Sequence, residues 1–180
     1  MNATNRKEID KLAHRYSFIA NPITITVSGV ERTYDARLPL HPERKDLPDR
    51  IFKVVPKNGS ANLLISFSDV DLLRKSKVVR LMELFNVEIK SVENSSIMAA
   101  FHSQDYMKAR EVKAPLVNWL PSENNMIGEV VMPDASRTKG PVETNIRQER
   151  VGSIIQMVRF GFGRIDSLNA ERVTVYYAHR

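Results

Sequence analysis

Gln156 and Arg159 stand in the run VGSIIQMVRFGFGRID (Val151–Asp166), whose apolar character predicts a buried strand. Long polar side chains in such a run cost free energy unless they are partnered. A fold that keeps them needs them for work outside its core. An amide both donates and accepts, and a guanidinium offers five donors. Together they suit the edge of an unstacked nucleobase. Residues three apart on a regular strand face opposite sides. A bulge, a twist or a bend near Phe160-Gly161 must therefore bring the two side chains together.

Other motifs carry less chemistry. Lys75-Ser76-Lys77 matches three residues of a KMSKS nucleotide loop, but no HIGH-type sequence precedes it; a solvated basic turn between a short helix and a strand is expected. Gly161-Phe162-Gly163 begins like a GxGxxG phosphate loop, yet Asp166 stands where the third glycine belongs and no helix follows. These glycines are expected to let the backbone bend at a barrel corner. His14, His41, His102 and His179 lack metal-ligand spacing. His41, between prolines, is expected to be structural or capping, and Trp119 to be a core anchor. No Ser/His/Asp set and no acid–base pair of carboxylates can be argued from order alone. The chain reads as a binding module before an enzyme.

The elements around these residues are mostly short strands. Asn5 and Glu8 form a capping box, with Ile9, Leu12 and Tyr16 on one helical face, which predicts a helix from about Arg6 to Ala13, ended by Arg15 and Tyr16. ITITV (Ile23–Val27), Ser28-Gly29 and TYDARL (Thr33–Leu38) read as a hairpin. IFKVV and ANLLISF flank Asn58-Gly59 and read as a second. VVRLMELFNVEI (Val78–Ile89) suggests two strands or one bent strand. IMAAF, PLVNWL, GEVVM, SIIQMV and VTVYYA complete a set that predicts a barrel or a sandwich. The turn-rich segment 103–150 reads as a small second β unit, inserted before the last strands of the first.

Composition sets the outer limits. The 180 residues are 42% hydrophobic, enough for one ordinary core or two small ones. With 27 Lys+Arg against 21 Asp+Glu the net charge is +6, concentrated in the first half. That excess favours a polyanionic partner. Zero cysteines exclude disulfides and Cys-based zinc sites and fit a reducing cytosol. No apolar run approaches a membrane span, and the N-terminus has no apolar core of a secretory signal.

Five blocks, in order, resemble the C-terminal anticodon-binding region of glutamyl- and glutaminyl-tRNA synthetases, most of all the archaeal glutamyl type. They are NRKEIDKLAHRYSFIANPITI, LPLHPE, VVRLMELFNVEI, APLVNWLP, and IIQMVRFGFGRID with VTVYYAHR. The resemblance implies two β-barrels. The proximal one (1–102 and 151–180) is closed by both chain ends, a smaller distal barrel (103–150) is inserted, and a short N-terminal helix leads in. It also implies a ligase whose catalytic domain, with its ATP site, lies outside this chain, so that no cofactor and no activity alone are expected here. The expected partners are the glutamate tRNA, with glutamine tRNA sharing the same middle base, and that catalytic domain. A cytoplasmic setting without membrane or DNA contact is expected.

Residue by residue, Arg15, Gln156 and Arg159 match the family pocket for the middle anticodon uridine, and Arg80 matches the arginine that meets the first base. Arg74, Lys75 and Lys77 are the nearby candidates for the basic residues placed before that strand, and with Lys7 and Lys11 would hold phosphates. Rival readings are an RNA-binding barrel of ribosomal-protein type, a protein-docking module using the charged loop 39–50, and a small-ligand barrel enzyme.

Overall fold

The computed structural model describes residues 9–93 and 95–179. A helical turn over residues 9–12, α1, leads into β1 (His14–Tyr16), β2 (Pro22–Ser28), β3 (Tyr34–Pro39), β4 (Asp49–Val54) and β5 (Ser60–Ser66). Then come α2 (Val70–Arg74), β6 (Val78–Leu81), β7 (Asn86–Val92), β8 (Ser96–Ser103) and α3 (Tyr106–Glu111). The rest of the chain gives β9 (Leu116–Val117), β10 (Trp119–Pro121), β11 (Asn125–Val131), β12 (Arg137–Glu143), β13 (Ile154–Met157), β14 (Gly161–Leu168) and β15 (Arg172–His179). The capping box expected ahead of α1 lies outside the described residues.

The strands form a six-stranded sheet ordered β1-β13-β14-β15-β11-β12 and a seven-stranded sheet ordered β10-β5-β2-β8-β7-β6-β9. The seven-stranded sheet curls into a nearly closed barrel and the other into a half-barrel. Strands β3 and β4 pair as a separate two-stranded ribbon. The chain divides into two compact units. Unit 1 holds the chain up to Ala20, Pro39–Arg50 and everything from Asn124 onward; unit 2 holds Asn21–Leu38 and Ile51–Glu123.

These boundaries differ from the sequence expectation. Residues 21–38 and 51–102, assigned to the proximal barrel, fall in unit 2, and 124–150, assigned to the insertion, fall in unit 1. The reason lies in pairing. Strand β11 runs parallel to β15 over Ile127–Val131, which ties the supposed insertion to the closing strands.

Unit 1 buries Tyr16, Phe18, Leu40, Val130, Ile155 and Ile165, among others, in one cluster. Unit 2 buries an aromatic chain in which Phe85 meets Tyr34 at 5.2 Å and Phe101 at 5.3 Å between ring centroids. Trp119, 1% exposed, meets Phe52 edge-on and donates its indole N–H to Met82 O at 2.9 Å, so it is the core anchor expected.

Local signals held better than pairings. Asn58 and Gly59 do turn the chain, with φ of 52° and 73°, and Lys57 and Ser60 exchange both backbone hydrogen bonds. The flanking strands then separate: β4 joins β3, while β5 joins β2 and β10. The expected β2–β3 hairpin is likewise absent, because β2 lies between β5 and β8. Val78–Ile89 is two antiparallel strands, as suggested, with Glu83 at φ 55° in the turn.

Candidate nucleic-acid interface

Arg15 and Tyr16 belong to strand β1, not to the end of the first helix. The helix stops at residue 12, and β1 pairs in parallel with β13, placing Arg15 opposite Gln156. Alternation then sorts the faces. Tyr16, Ile155 and Met157 enter the unit 1 core, so Arg15 and Gln156 turn to the other face. Both are half-buried.

The two side chains hold complementary atoms in reserve. Arg15 Nε, a donor, and Gln156 Oε1, an acceptor, are buried and make no hydrogen bond among the described residues. Arg15 Nη2 reaches Asp10 Oδ1 at 3.6 Å. Leaving buried polar atoms unmatched costs on the order of 1–3 kcal/mol each. One donor and one acceptor, carried by register partners on neighbouring strands, are a matched set for a planar ring that offers a carbonyl next to an N–H.

Arg159 lies outside the strand that carries Gln156. Strand β13 ends at Met157, and Arg159 sits in the turn to β14 with φ of 61°. A left-handed backbone costs a side-chain-bearing residue about 1–2 kcal/mol. The turn is held by Val158 N–H donating to Tyr16 O (2.9 Å) and Phe160 N–H to Met157 O (3.0 Å). Arg159 is exposed, at the tip beside β1, and does not share strand geometry with Gln156.

The row begun by Arg15 and Gln156 continues across the sheet. Gln156 pairs with Phe162 and Phe162 with His179, whose rings lie 4.9 Å apart between centroids. Sequence reading passed over Phe162 and His179, because their place beside Gln156 depends on β14 and on a register shift in β15. Gly161 permits that approach. A Cβ there would stand 2.6 Å from Tyr177 Cε2 and 2.8 Å from His179 O.

Strand β1 is fixed on both sides of Arg15. His14 Nδ1 meets Glu149 Oε1 at 2.6 Å, and the Tyr16 hydroxyl donates to the same oxygen at 2.8 Å. Burial and that hydrogen bond push the Tyr16 phenol above its usual value. Burial alone would raise the Glu149 carboxyl; hydrogen bonds from His14, Tyr16 and Ser153 outweigh it and hold the carboxyl below the usual range. Ser17 N–H donates to Glu143 Oε2 at 2.5 Å, and Glu143 is ion-paired with Arg50 inside the unit, both at most 3% exposed. Burial pushes the Glu143 carboxyl up, opposed chiefly by Arg50. His41 is structural, as expected: Nε2 meets Asp10 O at 2.7 Å and Nδ1 accepts from Glu43 N–H at 3.1 Å.

The remaining candidates are in unit 2. Arg80 is 8% exposed, and its Nη1 donates to Asn86 Oδ1 (2.9 Å) and Gln104 O (3.3 Å). Arg74, Lys75 and Lys77 are exposed where α2 runs into β6, the basic turn expected there; Arg74 pairs with Asp71 at 3.2 Å. Of the other two phosphate candidates, Lys11 is exposed and Lys7 lies outside the described residues. Among the described residues no group of three or more His, Asp or Glu could hold a metal ion, and no helix is long and apolar enough to cross a membrane.

Short strands curled into a nearly closed barrel and a half-barrel, with Arg15 and Gln156 turned off the unit 1 core, define a β-barrel module. The chain belongs to the family described as tRNA synthetases class I (E and Q), anti-codon binding domain, whose family model matches residues 13–104. It is similar to the glutamate–tRNA ligase of Methanopyrus kandleri, 39% identical over 177 residues, 98% of this chain and 31% of that protein. It is also similar to the ligases of Pyrococcus furiosus (37% over 181 residues) and Methanocaldococcus jannaschii (34% over 180), covering 99% of this chain and 30% of each relative. The chain thus spans about a third of the length of these curated relatives.

Proposed function

We propose that this chain captures the anticodon loop of the glutamate tRNA and reads its middle base, a uridine, between Arg15 and Gln156, with Arg159 closing the pocket from the hairpin tip. The observation that carries the reading is that the register partners Arg15 and Gln156 each hold one unmatched buried atom, Nε and Oε1. Uracil presents an N3–H for the acceptor and a carbonyl for the donor. Cytosine presents an acceptor at N3 and donors at N4, which would set acceptor against acceptor and donor against donor. Loop bases, unstacked on binding, are the form in which RNA is read by sequence.

Arg80 contributes at the first anticodon base, while Arg74, Lys75 and Lys77, with Lys11, supply phosphate contacts. In the complete enzyme a catalytic domain outside this chain uses ATP to join glutamate to the tRNA, in the cytoplasm. Glutamine tRNA, which shares the middle uridine, is a second acceptable ligand. A ribosomal-type barrel or a protein-docking module would instead show no preference between U and C at the middle base.

Binding of tRNA transcripts with U or with C at the middle position tests the proposal. The wild-type chain should prefer U by about 10- to 100-fold, the range of about 1–3 kcal/mol for a good base-edge contact. Gln156→Ala should remove that preference. Equal affinity of the wild-type chain for both transcripts would reject the assignment.

A further inference from the structure

Tyr106 opens α3 with 53% of its surface exposed, an unusual setting for a tyrosine beside a buried polar network. One face of its ring is occupied. The Arg80 guanidinium carbon lies over it at 5.3 Å from the centroid, while Arg80 itself is almost fully buried. More than half of the tyrosine's surface is left to solvent.

The network under the ring fixes its position. Asn86, fully buried, accepts from Arg80 and donates to Ser103 Oγ (2.9 Å) and to Asp105 O (2.8 Å). Arg80 also donates to Gln104 O, and Asp105 caps α3 by accepting from Met107 N–H at 2.8 Å. Residues 103–105, immediately ahead of the tyrosine, are thus tied at each step to the buried ends of β6 and β7. Buried ionic and polar groups contribute less to stability than apolar packing of the same volume. What this set achieves is a rigid, half-open aromatic ring backed by a positive charge. Exposed Lys108 and Arg110 follow on the same short helix.

We infer that Tyr106 is a stacking platform for one unpaired base of the bound RNA, with Arg80 as the positioning residue behind it. This rests on the reading of the chain as an anticodon-loop binder, and adds a contact of a different kind. It is selective for the presence of a π face, not for a hydrogen-bonding edge. Base stacking on an aromatic side chain tolerates any base, and a guanidinium on the ring's far side adds a cation–π contribution.

The test uses the full chain, with Tyr106→Leu and Tyr106→Phe, and glutamate tRNA transcripts carrying a single abasic nucleotide at each anticodon-loop position in turn. Tyr106→Leu should weaken intact tRNA by about 10- to 100-fold, the scale of one lost base stack, and Tyr106→Phe should restore wild-type affinity. At one loop position the abasic transcript should bind wild type and Tyr106→Leu alike. Because the ring is surface-exposed, both variants should melt within a few degrees of wild type. Unchanged binding by Tyr106→Leu would overturn the inference, as would a difference that survives at every abasic position. Unchanged affinity of a Tyr106→Leu chain that still separates U from C at the middle base would leave the Gln156 reading intact while this one falls. A wild-type chain that binds but does not separate them sinks the Gln156 reading alone, and the abasic series still decides Tyr106.

Discussion

Arg15 and Gln156 are register partners across the parallel pair β1–β13, and each leaves one buried polar atom without a hydrogen bond among the described residues. The residues next to Arg15 are tied down by Glu149 and Glu143, so the unsatisfied pair stands on a firmly held strand. Preorganisation of this kind lowers the ordering cost of binding and raises the cost of being unbound.

That cost is measurable. Gln156→Leu removes the unmatched acceptor while keeping similar bulk. Urea unfolding should show the variant as stable as wild type or more stable, by about 1 kcal/mol, while discrimination between U and C is lost. A large loss of stability would mean that the amide has a structural partner instead.

The buried Arg50–Glu143 pair should behave as a unit. Arg50→Met alone strands a carboxylate that burial already pushes towards protonation, and should cost about 3–5 kcal/mol. Arg50→Met with Glu143→Leu should recover much of that loss. A double-mutant cycle in urea reads the coupling.

Glu149 supplies a pH signature. Its folded carboxyl titrates below its unfolded value, so its stabilisation is fully present above the unfolded value of about 4.3 and disappears as pH falls through the folded one. The stability gap between wild type and Glu149→Gln should therefore hold at neutral pH and close below about pH 4. A gap that widens on acidification would contradict the assignment of the His14 and Tyr16 contacts.

Gly140 has no room for a side chain: a Cβ would stand 1.9 Å from Ile19 O. Gly140→Ala must displace backbone where β12 meets the segment after β1, and should cost more than about 3 kcal/mol by chemical denaturation.

The sequence was most legible where a signal is local. The Asn58-Gly59 turn, the split of Val78–Ile89 into two strands, the buried Trp119 and the structural His41 all rest on neighbouring residues. Parallel partners are another matter. The Ile9, Leu12, Tyr16 spacing reads as a helix, yet Tyr16 lies on a strand because β13, far along the chain, pairs with β1. The same remoteness misled the unit boundaries, since the chain passes between the two units four times and no contiguous segment marks either one. At the candidate site, residue types pointed to Gln156 and Arg159 from the apolar run they interrupt. The left-handed turn at Arg159 takes that residue out of strand alternation, which residue spacing alone does not reveal. Phe162, between two glycines, reads as core, and His179 comes beside it only through the shifted β14–β15 register.

Lys75→Ala and Lys77→Ala should weaken all RNAs alike and reduce the slope of log affinity against log salt by about 1 each, the signature of a lost phosphate contact. A base-dependent loss would instead assign these exposed lysines to recognition.

The central claim turns on a single hydrogen bond from the N3–H of the middle base to Gln156 Oε1. Replacing that uridine with N3-methyluridine in a glutamate tRNA transcript removes the donor and leaves both carbonyls. The wild-type chain should bind the methylated transcript about 10-fold or more weakly than the unmodified one, and Gln156→Leu should bind the two equally. Equal binding of both transcripts by the wild-type chain would contradict the account.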